Sequence, residues 1–138
     1  MPKFDKNLVY RKLPPLLYAL AILSLSLLKN PPAPDLGISW EDKIYHCMEY
    51  FVFGLLVARA FPGFSVQPRR RSKIAMLILF GILYSAIDET IQYFVPGRDS
   101  SVWDSLADTI GFTLSVFVVL WWRTKAKYDV EADLRENP

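Results

Sequence analysis

The sequence predicts an all-α fold, a four-helix bundle integral to a membrane, and three observations lead there. Of the 138 residues, 52% are hydrophobic and 14% aromatic, which excludes a disordered chain and leaves room for one compact domain. The apolar residues gather in four blocks, Leu13 to Leu28, Ile44 to Phe61, Ile74 to Phe94 and Trp103 to Trp122, parted by charged or Pro-rich stretches. The ionisable residues, finally, collect near one set of ends of these blocks, where polar groups at membrane depth point to function.

A bilayer core takes about 20 residues of helix, so the last three blocks are long enough. The first is short and gains length from Leu8 to Tyr10, with Arg11 and Lys12 reaching back to the headgroups. A soluble bundle is the alternative that a mean hydropathy of +0.20 keeps open. It would need a polar face on each helix, and Ala75 to Ser85 reads AMLILFGILYS, apolar all round. A cleaved signal peptide is a second alternative for the first block, but no small-x-small cleavage site follows it.

Each element has its own start or stop signal. Asn30-Pro-Pro-Ala-Pro is a stiff connector, because consecutive prolines exclude helix. Ser39 followed by Asp42 is a capping-box pattern for the second helix, and Ser101 followed by Asp104 repeats it for the fourth. Pro96-Gly97 ends the third helix and Phe61-Pro62-Gly63-Phe64 the second. Residues 1–123 form the transmembrane domain; residues 124–138, alternating basic and acidic, form a charged cytoplasmic tail.

Basic residues set the orientation. All of the Lys and Arg except Lys29, Lys43 and Arg98 fall in the N-terminal segment, the 59–73 region or the C-terminal tail. Both termini are therefore expected in the cytoplasm of a plasma-membrane, multi-pass protein. A net charge of +2 conceals this asymmetry, and Arg69, Arg70, Arg71 and Lys73 read as a topology signal beside anionic lipid, not as a nucleic-acid surface. The lone Cys47 reads as a packed thiol.

The opposite side is acidic, with Asp35, Glu41, Asp42, Glu49, Asp88, Glu89, Asp99, Asp104 and Asp108 against three cations. Capping is one account of Asp42 and Asp104, since acidic residues are ordinary in a first helical turn, and a role in the site is the other. Capping does not account for Glu49, two turns into its helix, nor for Asp88 and Glu89 beside an unfavourable helix C-terminus. At about 100° per residue, Asp42, His46, Glu49 and Tyr50 share one stripe, Ser85, Asp88, Glu89 and Gln92 a second, and Asp104, Asp108, Gly111 and Ser115 a third. Gly54, Gly81 and Gly111 lie on or beside these faces, where small residues let helices approach.

The ordered set Asp42-Lys43-x-x-His46-x-x-x-Tyr50-x-x-x-Gly54, Glu89-x-x-Gln92, Arg98 and Asp104-x-x-x-Asp108-x-x-Gly111 resembles the VanZ-like family of small membrane proteins. The resemblance covers residues 42 to 111 and implies a polytopic membrane protein, in a family associated with teicoplanin resistance. Asp108 departs from the Asn common at that position.

Two functions fit these residues. In the first, the protein binds or acts on a lipid headgroup or lipid-linked ligand at the extracytoplasmic leaflet. His46, Glu89 and Asp104 are then the candidate catalytic groups, with His46 a general base, and Lys43, Tyr50, Gln92, Arg98 and Asp108 the candidate binding groups, with Arg98 gripping a phosphate. The spacings of His46 with Glu49 and of Asp104 with Asp108 would also let these groups share a divalent cation, although no strict motif such as HExxH is present. In the second, the stripes are an internal network, Arg98 pairs with Asp104 or Glu89, and the protein is a small accessory subunit of a larger membrane complex.

Overall fold

The computed structural model describes residues 8–31, 34, 37–61 and 70–136 and is all-helical. Residues Lys3, Lys6, Asp35 and Arg69, the middle of the proline connector and the Pro62-Gly63 stop lie outside the described residues. Four α-helices follow one another: α1 (Leu13–Ser26), α2 (Glu41–Ala60), α3 (Arg70–Tyr93) and α4 (Val102–Glu136). A π-helical turn, Leu8–Lys12, leads into α1. Pro14 and Pro15 have no N–H to give the preceding turn, so the regular ladder starts only after them.

The capping signals behave differently at the two marked helices. At α4, Ser101 caps as expected: its Oγ accepts the Trp103 N–H at 3.2 Å. At α2 the residue before the helix is Trp40, with no side-chain cap. The helix starts one residue too late for Ser39 to serve. Downstream, α3 ends at Tyr93 and the chain turns through Gly97 at φ +81°, while α4 runs unbroken through Arg123 to Glu136. No Gly or Pro interrupts residues 112–136, so the charged tail extends the helix.

The core has two layers. In the middle, the Phe53 ring meets those of Tyr18, Tyr50, Phe80, Tyr84 and Phe112 at centroid distances of 4.9 to 6.2 Å. Beside it, α2 and α4 form the tightest pair, and glycines make this closeness feasible. A Cβ on Gly54 would sit 2.9 Å from the Phe112 carbonyl oxygen, and one on Gly111 would strike the Cys47 backbone. Gly81 likewise admits the Phe112 ring.

The burial pattern is inverted relative to a water-soluble bundle. His46, Ser85, Asp88, Glu89, Gln92, Asp104 and Asp108 are buried, while Leu16, Leu20, Met76, Leu83, Leu114 and Phe117 face outward. Soluble chains rarely expose so much contiguous apolar surface. Two helices, Arg71–Tyr93 with a mean hydropathy of 1.8 and Val102–Arg135 with 1.5, are long and apolar enough to cross a membrane. The 14 residues of α1 are fewer than a span needs, and α2 carries Glu41, Asp42, Lys43, Glu49 and Arg59.

Candidate functional site

The end of α1, the start of α2, the end of α3 and the start of α4 converge at what we call the site end. Its centre is Asp88, 1% exposed. The Asp88 carboxylate accepts from the Ser26 hydroxyl of α1, from the Tyr50 hydroxyl of α2 at 3.2 Å and, weakly, from the Gln92 amide at 3.4 Å. Gln92 Oε1 in turn accepts from Arg98 Nε at 3.0 Å.

Arg98 does not take the role expected of it. It pairs with neither Asp104 nor Glu89; its Nη1 donates to the carbonyls of Leu25 and Leu28 at 3.0 and 2.9 Å. These carbonyls end α1, and a cation there satisfies open acceptors at the negative helix end. Arg98 is thus a cap that fastens α1 to the α3–α4 connection.

A second branch joins α2, α3 and α4. His46 Nδ1 lies 2.9 Å from Asp108 Oδ1, and Ser85 donates to Asp108 Oδ2 at 2.9 Å. The Ser85 and Ser105 hydroxyls are 2.8 Å apart. Asp108, wholly buried, therefore has a donor on each oxygen, as a buried carboxylate requires. Fixing Nδ1–H this way leaves Nε2 as the open nitrogen, 3.9 Å from Asp42 Oδ1. Such an arrangement orients a base, but His46 lines neither of the two cavities described below.

Lys43 and Asp104 form a third contact, with Nζ 2.7 Å from Oδ1. This ion pair is the only partner of that oxygen among the described residues. Asp104 does not return to its own cap residue as a capping box would. Glu89 does so from across the interface, its Oε1 accepting the Ser101 N–H. The box is completed in trans, leaving Asp104 for Lys43.

The expected residues thus divide. His46 and Asp104, with Asp42, bring one ligand atom each within 4.8 Å of one another, and His46, Asp88 and Asp108 do the same. Glu89 belongs to neither trio. Glu49, which the spacing paired with His46 around a cation, belongs to neither as well and makes no hydrogen bond or ion pair among the described residues. The inner trio's carboxylates already accept hydrogen bonds from Ser26, Tyr50, Ser85 and His46, so it acts as a closed network.

Ser26, Ser85 and Ser105 were not among the candidate groups. Their signal was a hydroxyl inside an apolar run, as in Leu25-Ser26-Leu27 and Leu83-Tyr84-Ser85.

One polar atom stands apart. Glu89 is 8% exposed, and its Oε2 is buried without a hydrogen-bond partner among the described residues. Glu89 lines a cavity of about 410 Å³ between the end of α3 and the start of α4, with Thr90, Tyr93, Phe94, Ser100 and Ser105 among its walls. At the opposite end, a larger groove of about 570 Å³ runs between α1, α2 and α3, walled by Leu16, Phe53, Val57, Met76, Leu77 and Phe80, among others.

No curated protein and no solved structure matches the chain. A family model does, over residues 15–123, which take in α2 and α3 whole, α1 from Pro15 and α4 as far as Arg123, with every polar contact of the site end. The chain belongs to the VanZ/LLP1 family.

Proposed function

We propose that the protein spans the plasma membrane with all four helices, α1 lengthened by the Leu8–Lys12 turn that precedes it, both termini in the cytoplasm, and that its site end binds an envelope lipid headgroup at the extracytoplasmic leaflet. The inverted burial pattern supports the membrane setting, and the distribution of Lys and Arg supports the orientation. The observation that carries the binding role is Glu89 Oε2: a buried carboxylate oxygen without a donor among the described residues, on a residue that walls a cavity. Buried polar atoms are almost always paired, so an unpaired one beside a cavity marks a place for a ligand.

Binding is favoured over catalysis because His46, the best base, is enclosed by Asp108 and its neighbours and lines neither cavity. The teicoplanin association belongs to the family and reaches this chain only as an expectation. A closed interior network also suits the second reading, an accessory subunit, and a stoichiometric membrane-protein partner on purification would favour it.

The test is to fill the cavity. Ala86 lines it from an exposed position, so Ala86→Trp should leave the helical circular dichroism and thermal midpoint intact. The variant should lose the lipid that wild type retains through purification in mild detergent, read by native mass spectrometry. Equal lipid retention by the two proteins would refute the site.

A further inference from the structure

We infer that the Glu89 cavity selects a headgroup bearing a primary ammonium. This rests on the headgroup reading above and specifies its chemistry. Three features of the walls agree. The unsatisfied atom is an acceptor, so its partner must be a donor; Oε1 is already taken by the Ser101 N–H, leaving one oxygen for the ligand. The described residues that wall the cavity include no Lys or Arg, and the nearby cations are committed, Arg98 to Gln92 and two carbonyls, Lys43 to Asp104. A headgroup whose only charge is its phosphate would meet a carboxylate with no counter-charge.

The rim supplies the third feature. Tyr93 and Phe94 are 71% and 75% exposed, and their rings meet edge to face with centroids 5.4 Å apart. Aromatic faces near a carboxylate attract a cation within about 6 Å. The Ser100, Ser105 and Thr90 side chains offer hydroxyl oxygens around the same space. Oε2 is covered, so the Glu89 side chain turns towards the cavity to meet the ligand; a primary ammonium has three N–H donors, one for Oε2 and two for such oxygens. The amine can come from a lipid such as phosphatidylethanolamine or from a soluble amine.

Full-length protein in maltoside micelles is titrated with dihexanoyl phosphatidylethanolamine, dihexanoyl phosphatidylglycerol and ethanolamine, with binding read as NMR shifts of the Tyr93 and Phe94 ring resonances. The phosphatidylethanolamine should bind saturably, with the phosphatidylglycerol at least about tenfold weaker, the factor expected of one charge-assisted hydrogen bond. Glu89→Gln keeps an acceptor for the Ser101 N–H and should remove this preference. Phe94→Ala, at an exposed position, tests the rim if that variant folds poorly, and should weaken ammonium binding several-fold.

Ethanolamine binding as well as the lipid would uphold the ammonium class and name a soluble amine as its source. Equal or tighter binding of phosphatidylglycerol, blocked by Ala86→Trp, would overturn the ammonium class while the headgroup site stands. Unchanged affinity in both Glu89→Gln and Phe94→Ala would also overturn the class, and silence from every probe would overturn both readings.

Discussion

At the site end, all four helices are tied by side-chain hydrogen bonds in two neighbouring clusters: Ser26 of α1 and Tyr50 of α2 bond to Asp88 of α3, and His46 of α2 and Ser85 of α3 bond to Asp108 of α4. At the opposite end, the same helices meet through Val57, Leu77, Val116 and Leu120 and leave a groove of about 570 Å³. A polar clamp there is Arg123, whose Nη1 and Nη2 donate to the Phe61 and Ala58 carbonyls at the end of α2, much as Arg98 holds the end of α1. The difference fits a bundle in lipid. Hydrocarbon gives apolar surfaces no reason to leave it, so specificity must come from hydrogen bonds and from close approach at small residues.

The sharpest way to break this comparison is at the seam both ends share. Gly111→Leu would drive a side chain into the Cys47 backbone, and backbone cannot swing aside as a flexible side chain does. Overpacking costs typically about 1–3 kcal/mol, and this site should fall at or above the top of that range. Thermal denaturation in detergent micelles should show a large loss with both ends affected. A midpoint within a degree or two of wild type would mean that α2 and α4 do not pack as described.

The second test separates charge from connectivity within the network. Asp108→Ala leaves His46 Nδ1 and the Ser85 hydroxyl without their buried acceptor, a loss of about 1–3 kcal/mol. Asp108→Asn keeps an oxygen for His46 and offers an N–H to Ser85, so most of that stability should return. If Asn proves as damaging as Ala, the negative charge itself is required, and the site end is more than a hydrogen-bonded clasp.

The helices, and the gathering of ionisable residues at one set of their ends, were legible in the sequence, because apolar runs and polar residues at helical spacing are local patterns. The pairing was not. Nothing local to Arg98 distinguishes a carbonyl cap from a partner for Asp104, since the choice depends on where α1 ends in space. Ser39 and Ser101 carry the same capping signal, yet only Ser101 caps, because α2 begins one residue further on. Glu89 is the clearest case: its contact with the Ser101 N–H completes a capping box that the sequence assigned to Asp104. Four helices could be placed from their own residues, but the exchange of partners among them is a property of their packing.

The smallest expected effect is the most discriminating. Leu77 is buried to 6% exposure and walls the open groove between α1, α2 and α3. In a water-soluble core, Leu→Ala costs about 2–5 kcal/mol, from lost transfer free energy and the cavity left behind. In lipid the transfer part vanishes, since the unfolded helix also sits in hydrocarbon, and a groove already open to the bilayer lets an acyl chain occupy the vacated volume. Leu77→Ala should then cost less than about 1 kcal/mol, well below Asp108→Ala. If denaturation in micelles instead gives the full soluble-core penalty, the groove is sealed from lipid, and the two ends are held by more similar forces than their contacts suggest.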